Sequence, residues 1–592
     1  MEKQIMSGNE ALARGAWEAG CAVAAAYPGT PSTEVLENLA QYGQDLYCQW
    51  ACNEKVAAEI ASGASIGGAR SLCAMKHVGM NVAADPLFTM GYAGVNGGMV
   101  VVCADDPGCH SSQNEQDNRL YAPHAKLAMM EPSDSAECRG FMKAAFALSE
   151  RFDVPLMMRV TTRVCHSKGL VELAPREEVP VRKYERRPEK YAMLPGTARR
   201  RHVIREELMA EMEKYSNDCP FNRVEWAADR KVGIVTSGIS YQHAREVFGD
   251  GASYLKLGLT NPLPRKLMAG FASQVERLIV VEENEPYLET ALRALGFTHC
   301  EGKDKVTCQG ELNAQILREA LLGGSAAEVY SVEADVPPRP PVLCAGCPHR
   351  GFFYAVNGAL DKIVPAGDIG CYALGAAAPL NGFDYSICMG SGLSSIIGLA
   401  KALERQGDRR KALGMVGDST FFHSGLNSLI DVVSAEANVI ACVLDNSITA
   451  MTGHQDNPGT AANLMGQAKK PIDLVSLIRA TGLEKRRLRV VDPLDLEAMK
   501  SALQAAVEIE GPFVIVTRRP CALIKEVAKA NAGKFCRVDA EKCRGCRACM
   551  KIACPALSFE DGRARIADPG SCTGCGLCKS LCRFNAIEKV GD

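Results

Sequence analysis

The chain has 592 residues, 47% apolar and 23% charged, with a net charge of −2; that length predicts about three to five globular domains. The balanced charge gives no electrostatic case for nucleic acid or an anionic membrane as main partner, and the absence of an apolar leader or of any run of about 18 apolar residues predicts neither a secretory signal nor a membrane span. The 26 cysteines bunch in CxxC groups, which favours metal ligation in a reducing cytoplasm over disulfides.

Residues 1–175 read as an α/β domain. "GCAVAAAYPGTPST" (20–33) is an apolar strand broken by a Pro-Gly turn before a helix start. "EKVAAEIASGASIGG" (54–68) is helical, and "GGMVVVCADDPG" (97–108) and "VPLMMRVTTRV" (154–164) are buried strands. Strands alternating with helices predict parallel sheets covered on both faces. Residues 176–229 are charged and Pro-punctuated, and read as a solvated linker with one amphipathic helix; a basic recognition patch is the other reading. A second α/β unit spans 230–330, with strands at 231–240 and 277–286. A Pro-rich linker at 337–341 opens a third unit, 331–530, whose strands are "ALGMVGDS" (412–419), "NVIACVLDNS" (438–447) and "PFVIVTRRP" (512–520). Residues 531–592 form a cysteine-rich tail.

In the tail, "CRGCRACMKIACP" (543–555) and "CTGCGLCKSLC" (572–582) each carry three cysteines three apart and a fourth beyond. A C-x2-C-x2-C run wraps one face of a cubane cluster, and the remote cysteine closes the other cluster in two-cluster ferredoxins. This assigns one [4Fe–4S] cluster to Cys543, Cys546, Cys549 and Cys582, and another to Cys572, Cys575, Cys578 and Cys554. Zinc would want two separated pairs, which this spacing does not offer. The first group has one residue more than usual before its last cysteine, and the second ends in Cys-Arg rather than Cys-Pro.

"MVGDSTFF" (415–422) ends a strand in Gly-Asp, and Asp445–Asn446 ends the next. Two polar residues at neighbouring strand ends can share a hard cation, and a helix N-terminus beside glycine can receive a phosphate. The pair resembles the thiamine diphosphate motif. That resemblance implies Mg²⁺ on Asp418, Asn446 and the Ile448 carbonyl, with Gly417 and Ser419 at the diphosphate. Upstream, "CAGCPHRG" (344–351), "GDIGCYALG" (367–375) and "MGSGLSS" (389–395) resemble the thiamine domain of the 2-oxoacid:ferredoxin oxidoreductases. The resemblance implies Gly390 and Ser391 at the cofactor and a third [4Fe–4S] cluster on Cys344, Cys347, Cys371 and Cys521.

"AYPGTPSTE" (26–34) and "CNEKVAAEIASGAS" (52–65) resemble the pyrimidine-binding domain of the same family. Thiamine enzymes need a dry carboxylate beside the aminopyrimidine. The family's glutamate falls on Glu54, with Glu59 the competing candidate, and its substrate-contacting threonine on Thr30. His77, His110 and Arg119, in polar loops at strand ends, are possible substrate contacts.

The order of pyrimidine domain, middle domain, diphosphate domain and ferredoxin tail resembles the alpha subunits of the indolepyruvate branch of that family. The resemblance implies oxidative decarboxylation of an aryl 2-oxoacid, indolepyruvate or phenylpyruvate, with thiamine as electron sink, coenzyme A as acyl acceptor and ferredoxin as electron acceptor. It also implies a separate beta subunit in a dimer of heterodimers. Met451 falls where the pyruvate branch has asparagine, which suits an aryl group. The competing readings are another 2-oxoacid, a non-redox decarboxylase, and an electron-transfer subunit with an inactive thiamine fold.

Overall fold

The computed structural model describes residues 2–324, 336 and 340–591. Most of the Pro-rich stretch 337–341 lies outside the described residues. Contacts divide the chain into two compact units, Met1–Glu333 with Leu464–Gly466, and Ala334–Asn463 with Gln467–Asp592.

Among the described residues the first unit holds a seven-stranded sheet, a four-stranded sheet and the antiparallel pair Lys3–Ser7 with Lys168–Glu172. The largest has its seven strands in the order Leu259–Asn261, Ala128–Met130, Leu156–Thr161, Met99–Asp105, Ser71–Lys76, Val23–Ala26 and Tyr47–Trp50. All neighbours are parallel except the first pair. The central strand MVVVCAD is buried at every position, as a strand covered by helices on both faces must be. The four-stranded sheet runs Arg277–Val281, Val232–Ser237, Ser253–Leu257 and Arg223–Glu225, the last antiparallel.

Residues 176–229 are mostly exposed, all of 181–189 among them, and carry one long helix. The helix Pro195–Asp218 is polar on most positions, yet Arg201 and Arg205 are buried. Arg201 donates to the Tyr92 carbonyl at 2.8 Å and to Asp153 at 2.7 Å, and Arg205 to the carbonyls of Asp153 and Phe152. Charge in this segment therefore serves packing, with long aliphatic stems buried and heads on carbonyl groups. "MKHVGMN" (75–81) differs from a loop: His77 begins the helix His77–Ala93 directly after the strand Ser71–Lys76.

The second unit is built on five parallel strands, Ile363–Ala366, Lys411–Gly417, Val439–Asp445, Phe513–Arg518 and Leu488–Val491 in sheet order. Its tail consists of two small antiparallel pairs, Phe535–Val538 with Ile587–Val590, and Leu557–Glu560 with Arg563–Ile566. The core beneath them includes Cys536, Cys549, Ile552, Cys578 and Ile587. No helix among the described residues is long and apolar enough to cross a membrane.

Candidate active site

The strands ending at Gly417 and Asp445 are direct parallel neighbours, so Asp418 and Asn446 emerge side by side where parallel sheets bind ligands. Asp418 is buried, and Asn457 donates to its Oδ2 at 2.9 Å. The Asn446 amide oxygen faces Asp418 Oδ1 and the Ile448 carbonyl; turned over, its nitrogen would donate to them at 2.9 and 2.8 Å. Three acceptors converging without a donor fit a hard cation held by oxygen. Burial, then the charge of Asp445, pushes the Asp418 carboxyl up to about 7, a cost that a cation among the three oxygens removes. Ser419 accepts from Thr449 Oγ1 at 2.9 Å.

The loop before the helix Ser391–Gln406 is held by a residue the sequence did not single out. Asp368 is fully buried, and its carboxylate accepts from the amides of Gly390 at 3.0 Å and Gly392 at 2.7 Å. Its carboxyl is raised to about 7 by burial. Ser391 Oγ donates to the Cys388 carbonyl. His423, also buried, shares a hydrogen bond of 3.0 Å with Ser424 Oγ.

Cys344, Cys347, Cys371 and Cys521 come together beside this centre. Cys347 closes a turn on the Cys344 carbonyl at 3.2 Å. Cys521 follows the strand Phe513–Arg518, which pairs with Val439–Asp445, and its amide donates to the Asn446 carbonyl at 2.9 Å. Sheet register thus carries a cysteine 150 residues past Cys371 to Asn446. Cys371 interacts electrostatically with Cys344 and Cys521, Cys347 with Cys344 and Cys371, and both Cys371 and Cys521 with Asp418. Burial raises the Cys347 and Cys371 thiols to about 12, so ionised sulfur here needs bound metal.

In the tail, Cys543, Cys546, Cys549 and Cys582 line one small cavity of about 20 Å³. Among the described residues no three His, Cys, Asp or Glu side chains close around a single-ion site; these four sulfurs ring a space instead. Cys575 interacts with Cys554 and Cys572. A ninth tail cysteine, Cys536, is buried beside this second group: its amide donates to Cys572 Sγ at 3.3 Å, and its thiol interacts with Cys572 and Cys578. The Ala586 amide donates likewise to Cys582 Sγ. Such N–H···S bonds tune cluster potential.

Arg350 lies between the inner and tail cysteines. It is buried; its Nε donates to the Cys344 carbonyl at 3.0 Å and its Nη1 to the Ile552 carbonyl at 2.8 Å. Its guanidinium senses Cys554, Cys347, Cys344 and Cys575. A Cβ on Gly346 would stand 2.1 Å from Thr573 Oγ1, so the Thr573 side chain packs against the Gly346 backbone in space that only glycine leaves. The Cys554 and Cys575 end of the tail therefore faces the inner group.

The carboxylate candidates sit in the other unit. Glu54 opens the helix Glu54–Ile66 behind the N-cap Asn53 and is 4% exposed. Gly79 makes its space, for a Cβ there would be 2.7 Å from Glu54 Cγ and 2.8 Å from Oε1. Glu59 is exposed and paired with Lys55. Thr30 is half-buried in the turn after Val23–Ala26, and its carbonyl accepts from Ser111 Oγ. His77 is buried with Nε2 on the Asn114 carbonyl at 3.0 Å, and burial lowers its pKa. His110 is exposed, 3.3 Å from Glu311. Arg119 is held in a buried ion-pair network. It is 1% exposed, bound to Asp117 and Glu282 and to the carbonyls of Glu283 and Glu285. The loop's polarity holds two sheets together through a buried ion-pair network.

Residues 14–232 match the family described as pyruvate flavodoxin/ferredoxin oxidoreductase, thiamine diP-binding. Residues 368–517 match the thiamine pyrophosphate enzyme C-terminal TPP-binding domain, and 566–588 a 4Fe-4S binding domain. Fold and matches together define an oxidoreductase of the thiamine-dependent 2-oxoacid:ferredoxin class. The chain is 41% identical to the indolepyruvate oxidoreductase subunit IorA of Archaeoglobus fulgidus, across 99% of this chain and 97% of that one. It is 38% identical to the subunit of the same name from Pyrococcus horikoshii, across 100% and 97%. A solved 2-oxoglutarate:ferredoxin oxidoreductase from Magnetococcus marinus aligns with TM-score 0.44 and 18% identity, covering 51% of this chain and 61% of that one. The chain belongs to the family of indolepyruvate oxidoreductase IorA subunits.

Proposed function

We propose that the chain oxidatively decarboxylates aryl 2-oxoacids, foremost indolepyruvate, to the aryl-acetyl thioester of coenzyme A, in the cytoplasm and with a separate beta subunit as a dimer of heterodimers. The observation that carries the reading is the joining of cation ligands and inner cysteines at one set of strand ends, through the Cys521–Asn446 hydrogen bond. A non-redox decarboxylase has no use for that junction.

Bound thiamine diphosphate supplies an electron sink for loss of CO₂, and three [4Fe–4S] clusters supply one-electron acceptors. Asp418, Asn446 and the Ile448 carbonyl hold Mg²⁺, while Asn457 orients the carboxylate. Gly417, Ser419, Gly390 and Ser391 form the diphosphate cradle, and Asp368 fixes the Gly390–Gly392 amides. Glu54 holds the proton of the aminopyrimidine nitrogen in a buried pocket that excludes water. Thr30 contacts substrate. Cys344, Cys347, Cys371 and Cys521 hold the inner cluster, and the eight tail cysteines the other two. The name carried by the 37–41% identical relatives supports the aryl substrate, as does apolar Met451, which is 48% exposed and so free to meet a ligand.

The test is an anaerobic assay of chain plus beta subunit with coenzyme A, thiamine diphosphate and a low-potential dye, comparing indolepyruvate, phenylpyruvate and pyruvate. The aryl acids are expected to give the higher kcat/KM. Preference for pyruvate would refute the substrate assignment.

A further inference from the structure

The two tail cysteine groups are not equivalent. Arg350 and the Gly346–Thr573 approach turn the Cys554 and Cys575 end inward. At the other group Cys546 is exposed, Arg544, Arg547 and the 40% exposed Phe584 line the same cavity, and Arg583, next in the chain to Cys582, is exposed.

Among the described residues none of these three arginines pairs with a carboxylate. Arg547 lies 4.2 Å over the Phe559 ring. The nearby acids are spoken for by other bases: Glu560 and Asp561 by Arg565, Glu588 by Arg537 and Lys542, and Asp539 by Lys542. Residues 531–592 carry eleven Lys and Arg against seven Asp and Glu, in a chain of net charge −2. Positive charge is therefore concentrated and left unneutralised around the solvent-facing group, while local negative charge is cancelled. A fixed field of one sign at a redox centre steers partners of the opposite sign. Phe584 adds an apolar anchor at the centre of the charged rim, the anatomy of a small transient interface.

We propose that this rim is the docking surface for an acidic, small iron–sulfur carrier protein. The proposal rests on the functional reading above and deepens it: the group on Cys543, Cys546, Cys549 and Cys582 is the exit, and the group on Cys554, Cys572, Cys575 and Cys578 the inner of the two. One 2-oxoacid gives up two electrons and each carrier takes one, so two dockings complete one turnover.

The test uses the complete two-subunit protein, with an acidic [4Fe–4S] ferredoxin as probe and benzyl viologen, a small dye that needs no docking surface, as control. The variant is R544E/R547E/R583E, checked for unchanged iron content. Ferredoxin binding, measured by biolayer interferometry at low salt, is expected to weaken about tenfold or more. The gap should close at high salt, and dye reduction should stay at the wild-type rate. If the triple variant loses iron, F584A, which is not adjacent to any ligand cysteine, is expected to weaken binding severalfold. Unchanged ferredoxin affinity and salt slope, with dye reduction intact, would overturn the proposal. A wild-type protein that reduces neither dye nor ferredoxin with any 2-oxoacid would overturn the functional reading beneath it.

Discussion

Gly79 tests the Glu54 assignment without touching Glu54. In Gly79→Ala the new methyl would sit 2.7 Å from Glu54 Cγ and 2.8 Å from Oε1. Nonbonded carbons settle near about 3.5–4.0 Å, so the carboxylate must retreat by about 1 Å. Displacing a reacting group that far costs about 10²-fold in rate. Stability should change little. Overpacking costs about 1–3 kcal/mol, and replacing glycine inside a helix returns about 1 kcal/mol. Dye-reduction kinetics, thermal melting and the KM for thiamine diphosphate separate the effects. The expected outcome is kcat down about 100-fold with Tm lowered by only a few degrees. Wild-type kcat in a folded Gly79→Ala variant would refute the reasoning, because Glu54 could then be moved at no cost.

Asn457→Leu should leave Asp418 without its donor and weaken retention of Mg²⁺ and thiamine diphosphate by about tenfold, read by calorimetric titration; unchanged affinity would remove Asn457 from the cation site. Arg350→Met should expose the 531–592 segment to protease and lower the potential of one tail cluster in an EPR-monitored titration, whereas Arg350→Lys, which keeps the charge, should restore the potential better than the protection. Glu283 gives a pH test: it is buried with Oε2 lacking a partner, and burial raises its pKa from 4.5 to about 7. The folded state thus holds this proton more tightly, so the stability it contributes is complete below about pH 4.5 and is lost as pH rises through 7. Glu283→Gln should then stabilise the protein at pH 8 by on the order of 3 kcal/mol and change little at pH 4.5; equal melting shifts at both pH values would contradict this. Iron analysis should give roughly 12 atoms per chain, four for each of three clusters, and a value near eight would remove the inner cluster.

Local spacing made part of this legible. The tail triplets and the strand-end pair Asp418 and Asn446 speak through short-range pattern, because strand ends and tight turns fix neighbours within a few residues. Buried strands such as Met99–Asp105 and Val439–Asp445 announce themselves as apolar runs. The supporting residues do not. Asp368 and Asn457 act on groups 22 to 39 residues away, and Arg350 on carbonyls 202 residues away, so only packing shows their use. The burial of Arg119 was hidden for the same reason: an arginine in a polar loop looks free until Glu282, 163 residues on, is seen to hold it. Within the largely exposed stretch 176–229, the buried Arg201 and Arg205 could not be told from their exposed neighbours, because their partners lie at Tyr92, Phe152 and Asp153.

A thiamine centre and an inner cluster are proposed to work together at the strand ends of the second unit. This is tested most directly by rapid-freeze EPR of the two-subunit protein mixed anaerobically with indolepyruvate. The expected result is a reduced-cluster signal that appears within one turnover, requires thiamine diphosphate and Mg²⁺, and is lost in Cys521→Ser with CO₂ release still measurable. Release of CO₂ and an aldehyde at full rate, with every cluster left oxidised in the wild-type protein, would contradict it.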